Sequence, residues 1–376
     1  MINRSECILC GSKSLRKLYC FHDFPMYMGV CEDDASDDMF FDMKWKICIK
    51  CGSIQLIKLI EPDLLYARGH NAGVGKTWNR HYQSFSNFAK YFCGKKIIEV
   101  GGGNGKLARM LLSECEIDKY TIYDKNSDYE NIPSEIDFKQ QLFGDDDSEA
   151  EHVDTIIHSH VMEHFYEPRK ILAKMYNMLS PTGTMIISVP LLDQMIADKF
   201  TNALNFEHTY YTDYNIIQSL LSCTGFEIIS VYLFNRYNVF LVCRKVEPQL
   251  FNYNIFHDTY KTNRNKFIDF INFHISLVDE LNSQLKNKKN RFIFGAHIFT
   301  QFLLQFGLKE KYFESVLDND PLKISKRLYG TSLQVRSPQC LRNLDTPTVV
   351  LRAAQYNQEI IQDVHNNINN KVIFIP

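Results

Sequence analysis

The chain has 376 residues, 45% hydrophobic and 13% aromatic, with a formal net charge of −2. That length exceeds one average domain, and the apolar content is ample for two or three cores. The near-neutral balance lacks the basic face of a nucleic-acid binder, so no nucleic-acid partner is expected. No apolar run approaches the roughly 20 residues a spanning helix needs, so no membrane partner is expected either. The eleven cysteines are an odd number, and Met1-Ile2-Asn3-Arg4 does not open a charged-then-apolar leader. Both point to a reducing, cytoplasmic protein rather than a disulfide scaffold.

Two Cys-x-x-Cys pairs, Cys7/Cys10 and Cys48/Cys51, sit near the front, each followed by glycine (Gly11, Gly52). Four thiolates on two such turns close a tetrahedron around Zn²⁺, leaving no open position, so a structural zinc site is expected. The gap between the pairs is longer than in nucleic-acid fingers. Apolar β-formers at 45–47 and 54–57 suggest short strands around the metal, and the acidic stretch 32–38 reads as a solvated face. The predicted cysteine module covers residues 1–75. A helix is expected over 78–92, where Trp78, Tyr82, Phe85, Phe88 and Ala89 recur at helical spacing.

The next stretch, 76–248, alternates strand and helix. Strands are predicted at 96–100, 120–123, 153–157 and 184–189, the last after a Pro181-Thr182-Gly183 turn, with helices from 107 and over 168–179. Such alternation implies a parallel sheet with helices on both faces. After a polar linker over 247–265, a helix is predicted for 266–285. The alternation then resumes with a strand and turn over 292–295, strands at 315–318, 348–351 and 372–375, and a helix at 298–306. This makes 249–376 a second, smaller α/β domain.

The first βα turn is Glu99-Val100-Gly101-Gly102-Gly103-Asn104-Gly105. Glycines at a strand-to-helix turn let the backbone approach a ligand closely. A dinucleotide site prefers Gly-x-Gly-x-x-Gly, whereas here Ala108 stands where the third glycine falls. The turn suits the amino-acid end of S-adenosylmethionine (SAM), with Glu99, Gly101, Gly103 and Asn104 as expected cofactor residues. An acidic residue roughly 20–25 positions on should hold the ribose, and Asp124 ends the next strand. His158-Ser159-His160-Val161-Met162-Glu163-His164 follows a later strand at the sheet edge where α/β sites lie. His160 is expected against the cofactor. The run Asp145-Asp146-Asp147 reads as solvated surface.

Taken in order, Glu-x-Gly-x-x-x-Gly, Val-x-Glu-His, Pro-x-Gly with Val-Pro, and Glu207-His208-Thr209-Tyr210-Tyr211 resemble the SAM-dependent sugar C-methyltransferases. Gly295-Ala296-His297 and the segment 317–323 extend the resemblance to nearly the whole chain. It implies an α/β architecture: an N-terminal zinc-binding domain, a Rossmann-like class I methyltransferase domain and a C-terminal α/β domain that helps bind the nucleotide sugar. The implied activity is methylation of a ring carbon of a keto-deoxysugar nucleotide. The implied general base is His208, with Glu207 beside it and His164 as a second active-site histidine. The family's active-site tyrosine maps to Tyr66. Where the family has Tyr-His-Glu-His, this chain has Asn205-Phe206-Glu207-His208, so one aromatic hydroxyl is missing.

The residue types suit the chemistry. A carbon beside a ketone becomes nucleophilic only after losing a proton, and imidazole titrates near neutral pH. A base at His208 serves a hydroxyl equally well. Methylation at oxygen, of a sugar or another small metabolite, therefore stands as the alternative. A non-catalytic zinc-ribbon protein with a degenerate methyltransferase fold is the reading from a different class.

Overall fold

The computed structural model describes residues 1–67, 76–125, 132–145, 152–252, 256 and 259–375. Asp146 and Asp147 of the acidic run lie outside them. The chain divides into two compact units. Unit 1 is Met1–Leu18, Trp45–Gln194 and Phe206–Arg264; unit 2 is Tyr19–Lys44, Met195–Asn205 and Asn265–Pro376.

Near the N-terminus, β1 (Leu15–Pro25), β2 (Phe40–Cys48) and β3 (Ile54–Leu56) form a three-stranded sheet in that order. In unit 1, α1 (Lys76–Ala89) leads into β4 (Lys96–Val100), α2 (Lys106–Glu114), β5 (Lys119–Tyr123) and β6 (Ile136–Lys139). Then come β7 (Val153–Ser159), α3 (Pro168–Met178), β8 (Leu179–Pro190), α4 (Tyr214–Cys223), β9 (Phe226–Asn235) and β10 (Asn238–Lys245).

These strands make one seven-stranded sheet in the order β9-β10-β8-β7-β4-β5-β6. Alternate residues feed opposite faces, because a strand's side chains repeat every two residues. Ile97, Ile157 and Ile186 join Phe85, Leu107 and Leu111 from α1 and α2. Ile98, Ile156 and Ile187 join Leu172, Met175, Ile217 and Leu220 from α3 and α4. Strands covered on both sides need continuous apolar runs, which explains the composition of 96–100 and 153–157. Each fully buried isoleucine contributes about 1.5–3 kcal/mol of transfer free energy.

Five strands pair in parallel, as the alternation predicts, but β10 runs antiparallel to both β8 and β9. The sheet is thus mixed. A two-residue link between Asn235 and Asn238 is too short for a parallel crossover, and parallel neighbours need a dozen or more connecting residues. The predicted turn at 181–183 is absorbed into β8: Leu179 pairs with Val153 and Thr184 with Thr155, so the intervening residues bulge. Strand order reverses between β4 and β7. Their C-terminal ends therefore open a crevice, the usual ligand position in such sheets.

Unit 2 carries the later part of α5 (Thr259–Leu285), then β11 (Arg291–Phe294), α6 (Ile298–Gln305), β12 (Ser315–Leu317), β13 (Val335–Arg336), β14 (Thr348–Leu351), α7 (Asn357–Asn367) and β15 (Ile373–Ile375). Its strands form an all-parallel five-stranded sheet in the order β13-β12-β11-β14-β15. Among the described residues no helix is long and apolar enough to cross a membrane.

Candidate active site

The four paired cysteines converge. In each Cys-x-x-Cys turn the first cysteine's carbonyl accepts from the following glycine's amide, Gly11 to Cys7 and Gly52 to Cys48, both at 2.9 Å. Both glycines sit at φ +71°, the left-handed region that an L side chain enters only under strain. The two turns are conformational copies facing one another. Sγ–Sγ distances are 3.6 Å for Cys7–Cys51 and 3.7 Å for Cys10–Cys48. A tetrahedron with Zn–S bonds of ~2.3 Å has edges of about 3.8 Å, so the donor set fits Zn²⁺. Cys7, Cys48 and Cys51 are buried, as suits a closed site.

At the sheet crevice, β4 ends in the glycine turn. Gly101, Gly103 and Gly105 all have positive φ, and a Cβ on Gly103 would meet nothing within 4 Å. Gly101 faces the opposite constraint: a Cβ there would lie 2.4 Å from the Val161 side chain. The expected ribose carboxylate, Asp124, accepts from the Gly103 amide at 2.8 Å, so it fastens the turn to the end of β5. Glu99 lies beneath the turn, 3% exposed and accepting from the Tyr120 hydroxyl at 2.8 Å. Burial pushes its carboxyl up to about 7 despite that bond. The open glycine backbone and the strand-end carboxylate fit the amino-acid and ribose ends of SAM.

The three histidines at and just after the end of β7 separate by role. Burial pushes His158 down to about 3 and His160 down to about 4. His160 Nε2 bonds the Asn238 side-chain oxygen at 2.8 Å, and its ring meets Trp78 and His81 edge-on, both with centroids 4.9 Å apart. His81 in turn bonds Ser188 Oγ at 2.9 Å. His160 and His81 are neutral imidazoles tied to neighbouring side chains, whereas both ring nitrogens of the buried His158 lack a hydrogen-bond partner.

His164 belongs to a different group. Its Nδ1 lies 3.3 Å from the Tyr66 hydroxyl and 3.7 Å from Glu207 Oε2, and its Nε2 lies 3.9 Å from Glu163 Oε1. Its ring centroid is 5.3 Å from that of His208. The structure thus brings His164, Glu207 and His208 together, and adds Tyr66 and Glu163. Burial, followed by the charge of Glu207, holds the Tyr66 phenol well above its ordinary value, so it is a hydroxyl donor at neutral pH. Asn205 is buried and its amide nitrogen donates to Asn202 O at 3.4 Å.

Arg4 is a functional neighbour that the sequence reading missed. Its guanidinium donates to Thr209 O (2.6 Å), Thr209 Oγ1 (3.0 Å), Tyr166 O (2.6 Å) and Phe165 O (3.3 Å). One half-buried cation therefore ties the backbone just after His164 to the backbone just after His208. Tyr210 adds a second tie, its hydroxyl donating to Met162 O at 2.7 Å. No sequence signal identifies Arg4, because its partners lie up to 205 positions away.

Residues 77–231 match a family model described as a methyltransferase domain. The match runs from α1 into β9 and leaves the cysteine module and the five-stranded sheet outside it. No curated protein matches the chain. Solved structures similar to it include a SAM-dependent methyltransferase from Mesorhizobium loti, at 12% identity and TM-score 0.39, covering 44% of this chain and 98% of that one. An O-methyltransferase family protein from Burkholderia thailandensis is 14% identical with TM-score 0.39, covering 46% of this chain and 57% of that one. Human N-acetylserotonin methyltransferase is 20% identical with TM-score 0.38, covering 45% of this chain and 53% of that one. The central part of this protein, residues 77–231, is a methyltransferase domain with a Rossmann-like class I fold.

Proposed function

We propose that the enzyme transfers a methyl group to a ring carbon of a nucleotide-linked keto-deoxysugar, with His208 as the general base. The observation that carries the reading is the meeting of Tyr66, Glu163, His164, Glu207 and His208 from separate chain segments at one place. Those positions include the ones at which the chain resembles the sugar C-methyltransferases.

When bound, SAM supplies an electrophilic methyl group that needs in-line placement and no further activation. The chain's own work is on the acceptor. His208 takes the proton from the carbon beside the ketone. The Tyr66 hydroxyl and His164 donate toward the enolate oxygen, a role that needs neutral or cationic donors fixed beforehand. Glu163 and Glu207 orient His164 and stabilise its charged form. Glu99, Gly101, Gly103, Asn104, Asp124 and His160 form the cofactor side. The module 1–75 holds a structural zinc, and 249–376 contributes to nucleotide-sugar binding.

Asn205 favours a second reading, methylation at oxygen, since the phenol expected there is replaced by an amide engaged with Asn202. A panel of nucleotide sugars assayed with methyl-labelled SAM, with the methyl position fixed by NMR, decides between them. Product methylated at carbon supports the first reading, and product methylated at oxygen overturns it. Failure to bind SAM in calorimetry would sink both.

The zinc assignment has its own test. Structural zinc contributes folding energy directly, so Cys48→Ser lowers the melting temperature and removes one equivalent of zinc by elemental analysis. Four freely titratable thiols and no zinc in the unaltered protein would overturn it.

A further inference from the structure

A second cluster of metal-ligating side chains lies in unit 2, on the β1–β2 ribbon. Cys20 and His22 are two residues apart on β1, and Asp42 is on β2. The ribbon has a strict two-sided pattern. Phe21 and Met43 are buried at 2% and 0% exposure, and Phe21 packs edge-on against Phe302 and Phe306 with centroids 5.2 and 5.6 Å apart. Cys20, His22, Asp42 and Lys44 share the other, outward face, as alternation along paired strands requires.

On that face the Cys20 Sγ lies 3.7 Å from His22 Nδ1, and His22 Nδ1 lies 3.1 Å from Asp42 Oδ1. The three donor atoms all fall within 4.8 Å of one another. Ligands bound to one tetrahedral Zn²⁺ at ~2.3 Å (S) and ~2.0–2.1 Å (N, O) stand about 3.3–3.6 Å apart. The separations of His22 Nδ1 from its two neighbours, 3.7 and 3.1 Å, lie on either side of that range.

The surroundings hold the donors in place. Lys44 Nζ engages Asp42 Oδ2 at 2.9 Å, which turns Oδ1 toward the imidazole. The Asp23 amide donates to the same Oδ1 at 3.4 Å, from a residue held at φ +48°. Gln305 Nε2 donates to the His22 carbonyl at 2.7 Å and fixes the strand beneath the ring. Such outer contacts orient metal ligands and set their affinity.

We propose that Cys20, His22 and Asp42 form a second, solvent-facing metal site that takes Zn²⁺ or a similar borderline-soft divalent cation. One thiolate, one carboxylate and one neutral imidazole around M²⁺ give a site of zero net charge. Sulfur with nitrogen favours zinc over the hard, oxygen-seeking cations. The Cys20 thiol releases its proton to solvent as the M–S bond forms. Three protein ligands leave the fourth position to water, so this site is open where the four-cysteine site is closed.

The test uses the full chain as purified, titrated with Zn²⁺ alone and, separately, with Co²⁺. The unaltered protein should take up one more equivalent of metal than the Cys20→Ser/His22→Ala double variant, whatever the four-cysteine site holds. The Co²⁺ difference spectrum should show tetrahedral d–d bands with a single-thiolate charge-transfer band. Each single variant, Cys20→Ser or His22→Ala, should lower affinity at least about 100-fold, beyond the usual 10–100-fold cost of an outer-shell change. These side chains face solvent, so unchanged melting curves confirm that the variants fold. Equal metal uptake by the unaltered protein and the double variant would overturn the proposal, as would a difference spectrum lacking the thiolate band.

Discussion

Two sheets in this chain, one mixed and one all-parallel, begin alike and end differently. In unit 1 the turn after β4 donates its Gly103 amide to Asp124 Oδ2 at 2.8 Å; in unit 2 the turn after β11 donates its Ala296 amide to Asp318 Oδ2 at 2.9 Å. A carboxylate at the end of the next strand is thus, in both, a fastener for the βα turn. Around Asp318 the protein completes the job itself: Lys323 Nζ pairs with Oδ2 at 3.1 Å, and the Asp320 amide donates to Oδ1 at 3.0 Å. Around the first sheet's edge it adds the Tyr66, Glu163, His164, Glu207 and His208 group instead. The shared turn is scaffold. Among the described residues that side-chain group stands at the first sheet, whereas the second turn offers open backbone at Gly295 without it.

The largest effect that separates the two sheets is expected at the acceptor end. His208→Ala should lower turnover by roughly 10²–10⁴, the usual worth of general acid–base catalysis, while SAM affinity in calorimetry stays unchanged. Near-normal turnover of the true substrate would remove the base from His208 and leave the domain assignment standing.

The next effect is on stability. Burial holds His81 down at about 2, His158 at about 3 and His160 at about 4. As pH falls below about 6.5 the unfolded chain protonates these three and the folded sheet does not. Glu99 acts oppositely: its folded value of about 7 keeps a proton that the unfolded chain loses above about 4.5. Between those limits the unfolded state holds 3 − 1 = 2 extra protons, so stability falls by at most about 2.7 kcal/mol per pH unit on acidification. Both tryptophans, Trp45 and Trp78, lie in unit 1, so tryptophan fluorescence in urea titrations reads that unit. His158→Phe should reduce the slope by about 1.4 kcal/mol per pH unit. A slope indifferent to that variant would mean His158 is protonated in the folded sheet.

How much of this was legible follows from how the parts are built. The cofactor turn is contiguous: strand 96–100, the five turn residues 101–105 and Asp124 lie close in sequence, and strand-end glycines announce themselves. The cysteine pairs are legible for the same reason. Helix α1 was expected over 78–92 and runs Lys76–Ala89, a shift at ends that periodicity does not fix. The hairpin of β9 and β10 escaped because β9 exposes Ile229, Val231, Tyr232 and Leu233, which blurs the in-out alternation. Glu207 and His208 came from motif resemblance. Their meeting with His164 and Tyr66, and the Arg4 tie, depend on contacts 98 and 205 positions apart, which no local pattern records.

Asp124→Ala probes the first turn directly. It removes a charged acceptor from the Gly103 amide and, in the proposed complex, from the ribose, with each such bond worth about 1.5–3 kcal/mol. SAM affinity should fall at least tenfold. Unchanged affinity would make Asp124 a fastener only, like its counterpart, and move the ribose contact elsewhere.

The matching change in the second sheet should be the mildest. Asp318→Ala strips the same acceptor from Ala296, a second from Asp320, and the partner of Lys323. The lost bonds are charge-assisted, but alanine leaves room for water to reach both amides, since the Asp318 side chain is 13% exposed. A cost of about 2 kcal/mol is therefore expected, confined to unit 2. Hydrogen exchange is the measurement that locates it: the Ala296 and Asp320 amides should exchange faster while Gly103 does not. Asp318→Asn keeps an oxygen acceptor and should recover most of the protection. SAM affinity should change by less than about twofold in either variant, well under the 1.4 kcal/mol that a tenfold loss requires. A tenfold weakening of SAM binding by Asp318→Ala would show that the second turn does more than hold its own sheet together, and the contrast between the two turns would collapse.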